Sequence, residues 1–225
     1  MARGKLFIIE AGDGSGKETQ TRLLAQRLIR ERHRVRAVAF PDYEADASMP
    51  VRMYLRGDFG TQADEVNPYA ASTFFAVDRY ASYRMKWGQD YEAGTIILAD
   101  RYTTSNMVHQ AVKIRDAAER DAFLDWLDDF EFNKLGLPVP DAVFFLDMEP
   151  CAAERLLTAR AQAKGETPDI HERDADYLRR THDAYVLLTA RCGWVRIPSS
   201  ADGTPLPIEE IHERLYAEVG KFLTK

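Results

Sequence analysis

Polar and apolar positions along this chain follow two periods in turn. Leu6–Glu10, Val35–Phe40, Thr95–Ala99, Ala142–Asp147 and Trp194–Ile197 are short runs dominated by apolar residues, of strand rather than helix length. Between them the apolar residues recur every three to four positions. Leu23, Leu24, Leu28 and Ile29 form one such stripe, Tyr177, Leu178, Thr181, Tyr185 and Leu188 a second, and Ile208, Ile211, Leu215, Val219 and Phe222 a third. The pattern also predicts one long helix over Pro68–Glu92, stopped by Gly94, and an acidic amphipathic helix over Asp116–Phe132. A further helix begins at about Cys151 and runs into the polar stretch Lys164–Glu172, which contains Gly165 and Pro168.

Strands separated by helices imply parallel crossover units, hence a five-stranded parallel sheet with helices on both faces, a three-layer α/β fold. In such sheets ligands bind beyond the carboxyl ends of the strands. Four segments therefore meet at one rim: Ala11–Thr19, Phe40–Asp46, Asp100–Gln110 and Asp147–Glu149.

Length and composition narrow the picture. The 225 residues, 45% hydrophobic and 29% charged, fit a single domain over 1–225 with its own core. A net charge of −6 argues against a nucleic-acid partner, which would need broad basic patches. No apolar run approaches the roughly 18 residues of a membrane span. The first residues are too short an apolar stretch for a secretory signal, so a cytoplasmic location is expected. Cys151 and Cys192 have neither disulfide-framework nor metal-ligand spacing and are expected to be packing residues.

The chemistry starts after the first strand, at Glu10-Ala11-Gly12-Asp13-Gly14-Ser15-Gly16-Lys17-Glu18-Thr19-Gln20. Glycines let backbone amides curl around a phosphate, the following helix adds the positive end of its dipole, and Lys17 adds a mobile cation. The strict phosphate-loop pattern has glycine where Ala11 stands and serine or threonine where Glu18 stands. Gly12, Asp13, Gly14, Ser15, Gly16, Lys17, Glu18 and Thr19 are the candidate ATP-binding residues, with Asp100 and Glu18 the candidate magnesium ligands.

Together with Phe40-Pro41, Phe75-Ala-Val-Asp-Arg79 and Asp100-Arg101-Tyr102-Thr-Thr-Ser105-Asn106, the loop resembles the thymidylate kinase family from Lys5 to the C-terminal helix. The resemblance implies a P-loop kinase fold, ATP and Mg2+, phosphorylation of dTMP to dTDP, and a homodimer. It assigns Lys17 to the transferred phosphoryl group, Asp13 to the acceptor's sugar hydroxyl and Arg101 to the acceptor phosphate. Phe75 would stack on thymine, Arg79 would hydrogen-bond the base, and Phe40, Pro41, Ser105, Asn106, His109 and Gln110 would complete the dTMP site. Phe74, beside Phe75, is expected in the core. A lid at about 160–173 would close over the phosphates, with Arg160 completing the catalytic set and Arg155 beside it; Gly14 stands where some relatives carry a loop arginine. His109 stands where the family commonly has tyrosine, associated with excluding the ribose 2′-hydroxyl. Asp42 and Tyr43 follow Phe40-Pro41 where an arginine is frequent. Two other readings fit the loop: a kinase for another deoxynucleotide or a nucleoside, and a non-catalytic nucleotide-binding protein. The catalytic reading expects Lys17 and Arg101 on one rim, acting on both nucleotides at once, and fails if the two face different cavities.

Overall fold

Five parallel strands, β1 (Leu6–Glu10), β2 (Val35–Ala39), β3 (Ile96–Asp100), β4 (Ala142–Asp147) and β5 (Val195–Pro198), pair in the order β2-β3-β1-β4-β5. Registers such as Ile8 opposite Ala99 and Val143 place β1 at the centre. The computed structural model describes residues 3–60, 62, 65–164 and 175–223, with backbone alone for 159–164 and 175–177. The expected lid lies outside the described residues except for the backbone of its first five positions. No helix among the described residues is long and apolar enough to cross a membrane.

All of β1 is buried, and its alternating side chains supply both faces. Phe7 and Ile9 pack with Leu24 and Leu28 of α1 (Lys17–Arg30) and with Ile211, Leu215 and Val219 of α9 (Ile208–Leu223). Leu6 and Ile8 pack on the other face with Trp87, Tyr91 and Tyr102. Each such side chain contributes about 1.5–3 kcal/mol by burial, so the sheet centre is the rigid part of the molecule. A further cluster joins Phe145 to α5 (Thr103–His109), α6 (Ala117–Asp128) and α8 (Ala175–Cys192) through Val108, Phe123, Leu127 and Tyr185. The chain visits β2 and β3 on one side of β1 before crossing to β4 and β5. The strand order thus switches at the carboxyl end of β1, where a ligand crevice forms.

Several local expectations are corrected. The helix over Pro68–Glu92 is α3 (Pro68–Ser82) and α4 (Gly88–Glu92), joined by a π-helical segment, Tyr83–Trp87. Gly88 permits this tight turn, since a Cβ there would stand 2.6 Å from the Tyr83 carbonyl oxygen. The helix over Asp116–Phe132 becomes α6, capped by Asp116 accepting from the Glu119 amide at 2.9 Å, followed by a π-helical segment, Asp129–Lys134. Cys151 and Cys192 are exposed rather than packed. The sequence pattern did not indicate α2 (Met49–Arg56) or the small hairpin of β6 (Ser200–Ala201) and β7 (Thr204–Pro205). The helix from about Cys151 is α7 (Pro150–Lys164).

Candidate active site

The glycine-rich turn leaves β1 and enters α1 at Lys17. Gly16 is the N-cap, in the left-handed region at φ 75°, and a Cβ there would meet nothing within 4 Å. Backbone conformation is what demands glycine at this position, and the space beside it stays open for a ligand. Gly14 is the opposite case: at φ 76° its Cβ would fall 2.8 Å from the Ala153 carbonyl oxygen and 2.6 Å from Leu157 Cγ. The loop is therefore clamped by α7, and no side chain fits at position 14.

Residues Gly12 through Gln20 line a cleft of about 1330 Å³ including its mouth, with an apolar wall of Met148, Leu156, Leu206, Ile208 and Ile211. Lys17 lies on its floor with only 12% of its side chain exposed, its Nζ 3.0 Å from Asp100 Oδ1. Burial, reinforced by repulsion from Arg101, pulls the Lys17 ammonium below its ordinary pKa despite the attraction of Asp100 and Asp13.

A second cleft, about 810 Å³ including its mouth, opens on the other side of Asp13, which lines both. Phe40, Pro41, Phe75, Arg79, Arg101, Ser105, Asn106, His109 and Gln110, all expected at the acceptor site, line it. Tyr43, Tyr54, Tyr102 and Lys113 line it as well. Phe75 meets Tyr54 edge-on at 6.1 Å, and Phe40 tilts against Tyr102 at 5.9 Å. Phe74, expected in the core, is only partly buried; like Phe75 it packs on Tyr54, and it also meets Phe59, without lining the cleft.

Arg101 is held from several directions. Its backbone is left-handed at φ 68°, an arrangement that costs a non-glycine residue about 1–3 kcal/mol and persists only where the surroundings enforce it. Its guanidinium donates to Asp13 Oδ1 at 2.5 Å and, through Nη1, to His109 Nε2 at 3.1 Å and Ser105 Oγ at 3.4 Å. Burial works against its charge, but Asp13, backed by Tyr185 and Glu10, outweighs burial and raises its pKa. Glu10 is itself completely buried and accepts hydroxyl hydrogen bonds from Thr104, Ser105 and Tyr185. Ser105, expected at the thymine edge, thus spends its hydroxyl proton on Glu10 and supports Arg101.

Arg79 is more deeply enclosed than Arg101. It pairs with Glu131, Nε donating to Oε2 at 2.7 Å and Nη2 to Oε1, while Nη1 reaches the Tyr102 carbonyl at 3.4 Å. Glu131, Glu10 and Tyr185 were not among the sequence candidates. A usable signal existed for the first two: each is a carboxylate on an otherwise apolar face, Glu131 four residues after buried Leu127 and Glu10 at the end of an apolar strand.

Lys17 and Arg101 thus line different clefts, against the expectation of a single cavity; Asp13 lines both clefts, and the two cations are near enough to repel each other. Asp100 and Glu18 both line the loop cleft, Glu18 being exposed. No cluster of three or more His, Cys, Asp or Glu side chains able to hold a metal occurs among the described residues. That donor set suits Mg2+, a hard cation that takes one or two carboxylates and completes its shell with phosphate and water oxygens. Arg155 is exposed on α7, outside the lining of either cleft. The Arg160 side chain lies outside the described residues.

The thymidylate kinase family model matches residues 9–215. The thymidylate kinase of Mycobacterium tuberculosis is 33% identical over 193 residues, covering 84% of this chain and 87% of the relative. That of Schizosaccharomyces pombe is 31% identical over 163 residues, covering 71% and 67%. A probable thymidylate kinase of Thermococcus onnurineus is 27% identical over 221 residues, covering 97% and 98%. With the phosphate loop, the two joined clefts and these matches in agreement, the chain belongs to the thymidylate kinase family.

Proposed function

We propose that this protein transfers the γ-phosphoryl group of ATP to dTMP, giving ADP and dTDP. The observation that carries the reading is the pair of clefts meeting at Asp13, one floored by Lys17 and the phosphate loop, the other built around Arg101 and an aromatic and amide-lined slot. Two nucleotides can then lie end to end with their phosphates toward each other, and each cleft brings its own cation.

An oxygen of the acceptor phosphate attacks the γ-phosphorus, and the bond from that phosphorus to the β-phosphate bridging oxygen breaks. The nucleophile is already an anion, so the chemistry needs positioning and charge neutralisation more than a general base. Loop amides and the start of α1 hold the donor phosphates, Lys17 follows the moving group, and Arg101 fixes the acceptor phosphate. Asp13, between the clefts, suits the acceptor's sugar hydroxyl. Asp100 and Glu18 would hold Mg2+, which when bound neutralises charge on the donor phosphates. Gly14 leaves no room for a loop arginine, which favours a cation from α7 or the segment after it, Arg160 first. Val77, Tyr80 and Met85 are 50%, 41% and 81% exposed on or just after α3, an apolar surface consistent with a homodimer. A cytoplasmic location suits a protein acting on ATP and a free nucleotide.

The test is ADP formation from ATP and magnesium with dTMP, dUMP, dCMP, dGMP, thymidine and UMP offered in turn. The expected result is highest kcat/KM with dTMP. Preference for thymidine would reassign Arg101, and turnover with no acceptor would leave only nucleotide binding.

A further inference from the structure

Glu131 takes no part in phosphate chemistry, yet it is as heavily engaged beside the acceptor cleft as Glu10, each carboxylate accepting from three residues. It is completely buried in the π-helical segment after α6. Besides both arms of Arg79, it accepts from Thr103 Oγ1 at 2.9 Å and from Asn106 Nδ2 at 3.3 Å. Asn106 Nδ2 also donates to the Ser72 carbonyl at 3.3 Å. Both neighbours of that nitrogen are pure acceptors, so the amide has one allowed orientation. An oxygen in its place would face a carboxylate and a carbonyl. The remaining polar atom that Asn106 brings to the cleft it lines is Oδ1, an acceptor. Arg79, lining the same cleft, brings only N–H donors.

A wall that offers a donor beside an acceptor matches the edge of a 4-keto pyrimidine, where the O4 oxygen accepts and the neighbouring N3–H donates. Cytosine inverts both, with an amino donor at C4 and an acceptor at N3. Gln110 Oε1, buried and without a protein partner, puts a second acceptor at the same cleft. Resting on the dTMP-kinase reading, we propose that Glu131 is a specificity-determining positioning residue: by engaging Arg79 and Asn106 together, one carboxylate sets the polarity of the base-reading wall and excludes cytosine.

The decisive measurement is kcat/KM for dTMP, dUMP and dCMP in the wild type and in Glu131→Gln. A glutamine amide can no longer accept from every donor, so Asn106 is released to turn over. The dTMP:dCMP ratio should fall at least about tenfold, since a hydrogen-bond mismatch at a buried site is what sustains large discrimination. The dTMP:dUMP ratio should stay within about threefold, because uracil presents the same edge as thymine. Equal loss with all three acceptors would make Glu131 merely structural and overturn the proposal. Should the variant fail to fold, Thr103→Val withdraws one donor from the same carboxylate with little change in shape. It should lower the dTMP:dCMP ratio about threefold through the loosened carboxylate, and an unchanged ratio would count against the proposal. Wild-type protein inactive with every acceptor would instead sink the dTMP-kinase reading itself.

Discussion

The two clefts on the rim are built on different principles. The loop cleft presents backbone, small residues and one half-buried lysine against an apolar wall, and both Gly16 and Glu18 stand open to solvent. The acceptor cleft is backed by buried ionic and hydroxyl networks, in which Glu10 and Glu131 are fully enclosed and Arg79 is 2% exposed. Phosphates are recognised well by amides and a helix terminus, whatever side chains surround them. A base must be distinguished by its pattern of donors and acceptors, and that pattern discriminates only if the reading side chains cannot turn. The rigid half of the site is therefore the half that has to choose.

Substituting the cation of each cleft should separate their roles. Lys17→Met is expected to lower kcat by about 10³ or more while dTMP affinity, read by calorimetry, stays near wild type, because its interaction strengthens as charge moves. Arg101→Ala should lower kcat/KM for dTMP by about 10² and leave ATP affinity little changed, since the guanidinium belongs to the other cleft. Loss of binding for both nucleotides in either variant would mean that the clefts do not act separately.

Stability should divide along the same line. Glu131→Ala leaves a buried guanidinium without its partner and is expected to destabilise the fold by about 3–5 kcal/mol in denaturant unfolding. Gly14→Ala strains a left-handed position against α7 and should cost about 1–3 kcal/mol, with donor affinity falling as the loop shifts. A stable Gly14→Ala protein with normal ATP binding would show that α7 does not clamp the loop.

The smallest effect is expected at a rim residue that lines neither cleft. Burial disfavours ionisation of Asp147, but hydrogen bonds with His182 and Arg196 outweigh it and hold its carboxyl below the ordinary carboxylate pKa. A depressed folded pKa contributes stability above the unfolded value, lost as pH falls through the folded one. Asp147→Asn should therefore lower Tm by about 2–4 °C at neutral pH, and the gap should close as the pH drops below about 4. Acceptor selectivity should not move.

Much of this was legible in the sequence, for local reasons. β1 and β4 read as strands because both are apolar on both faces, and the phosphate loop is contiguous, so its spacing carries its meaning. Phe75 could be told from Phe74 as the cleft-lining residue because adjacent helical residues point in different directions, although both pack on Tyr54 and neither is fully buried. Partnerships across the chain were not legible. Asp13 meets Arg101 across 88 positions, Arg79 meets Glu131 across 52, and Tyr185 reaches Glu10 across 175. Periodicity assigns a residue to a face but not to a partner on another element. The π-helical segments were missed because the extra residue in one turn shifts the buried face by a single position, as from Ser82 to Trp87, a change too small to stand out from ordinary three-to-four spacing.

The most direct test of the joined clefts is calorimetry with a single ligand, an adenosine and a thymidine linked by five phosphates. If the clefts form one reaction space, this ligand binds one per chain, at least about 10²-fold tighter than ATP or dTMP alone, and both Lys17→Met and Arg101→Ala weaken it. Affinity no better than that of ATP, with Arg101→Ala indistinguishable from wild type, would contradict the account.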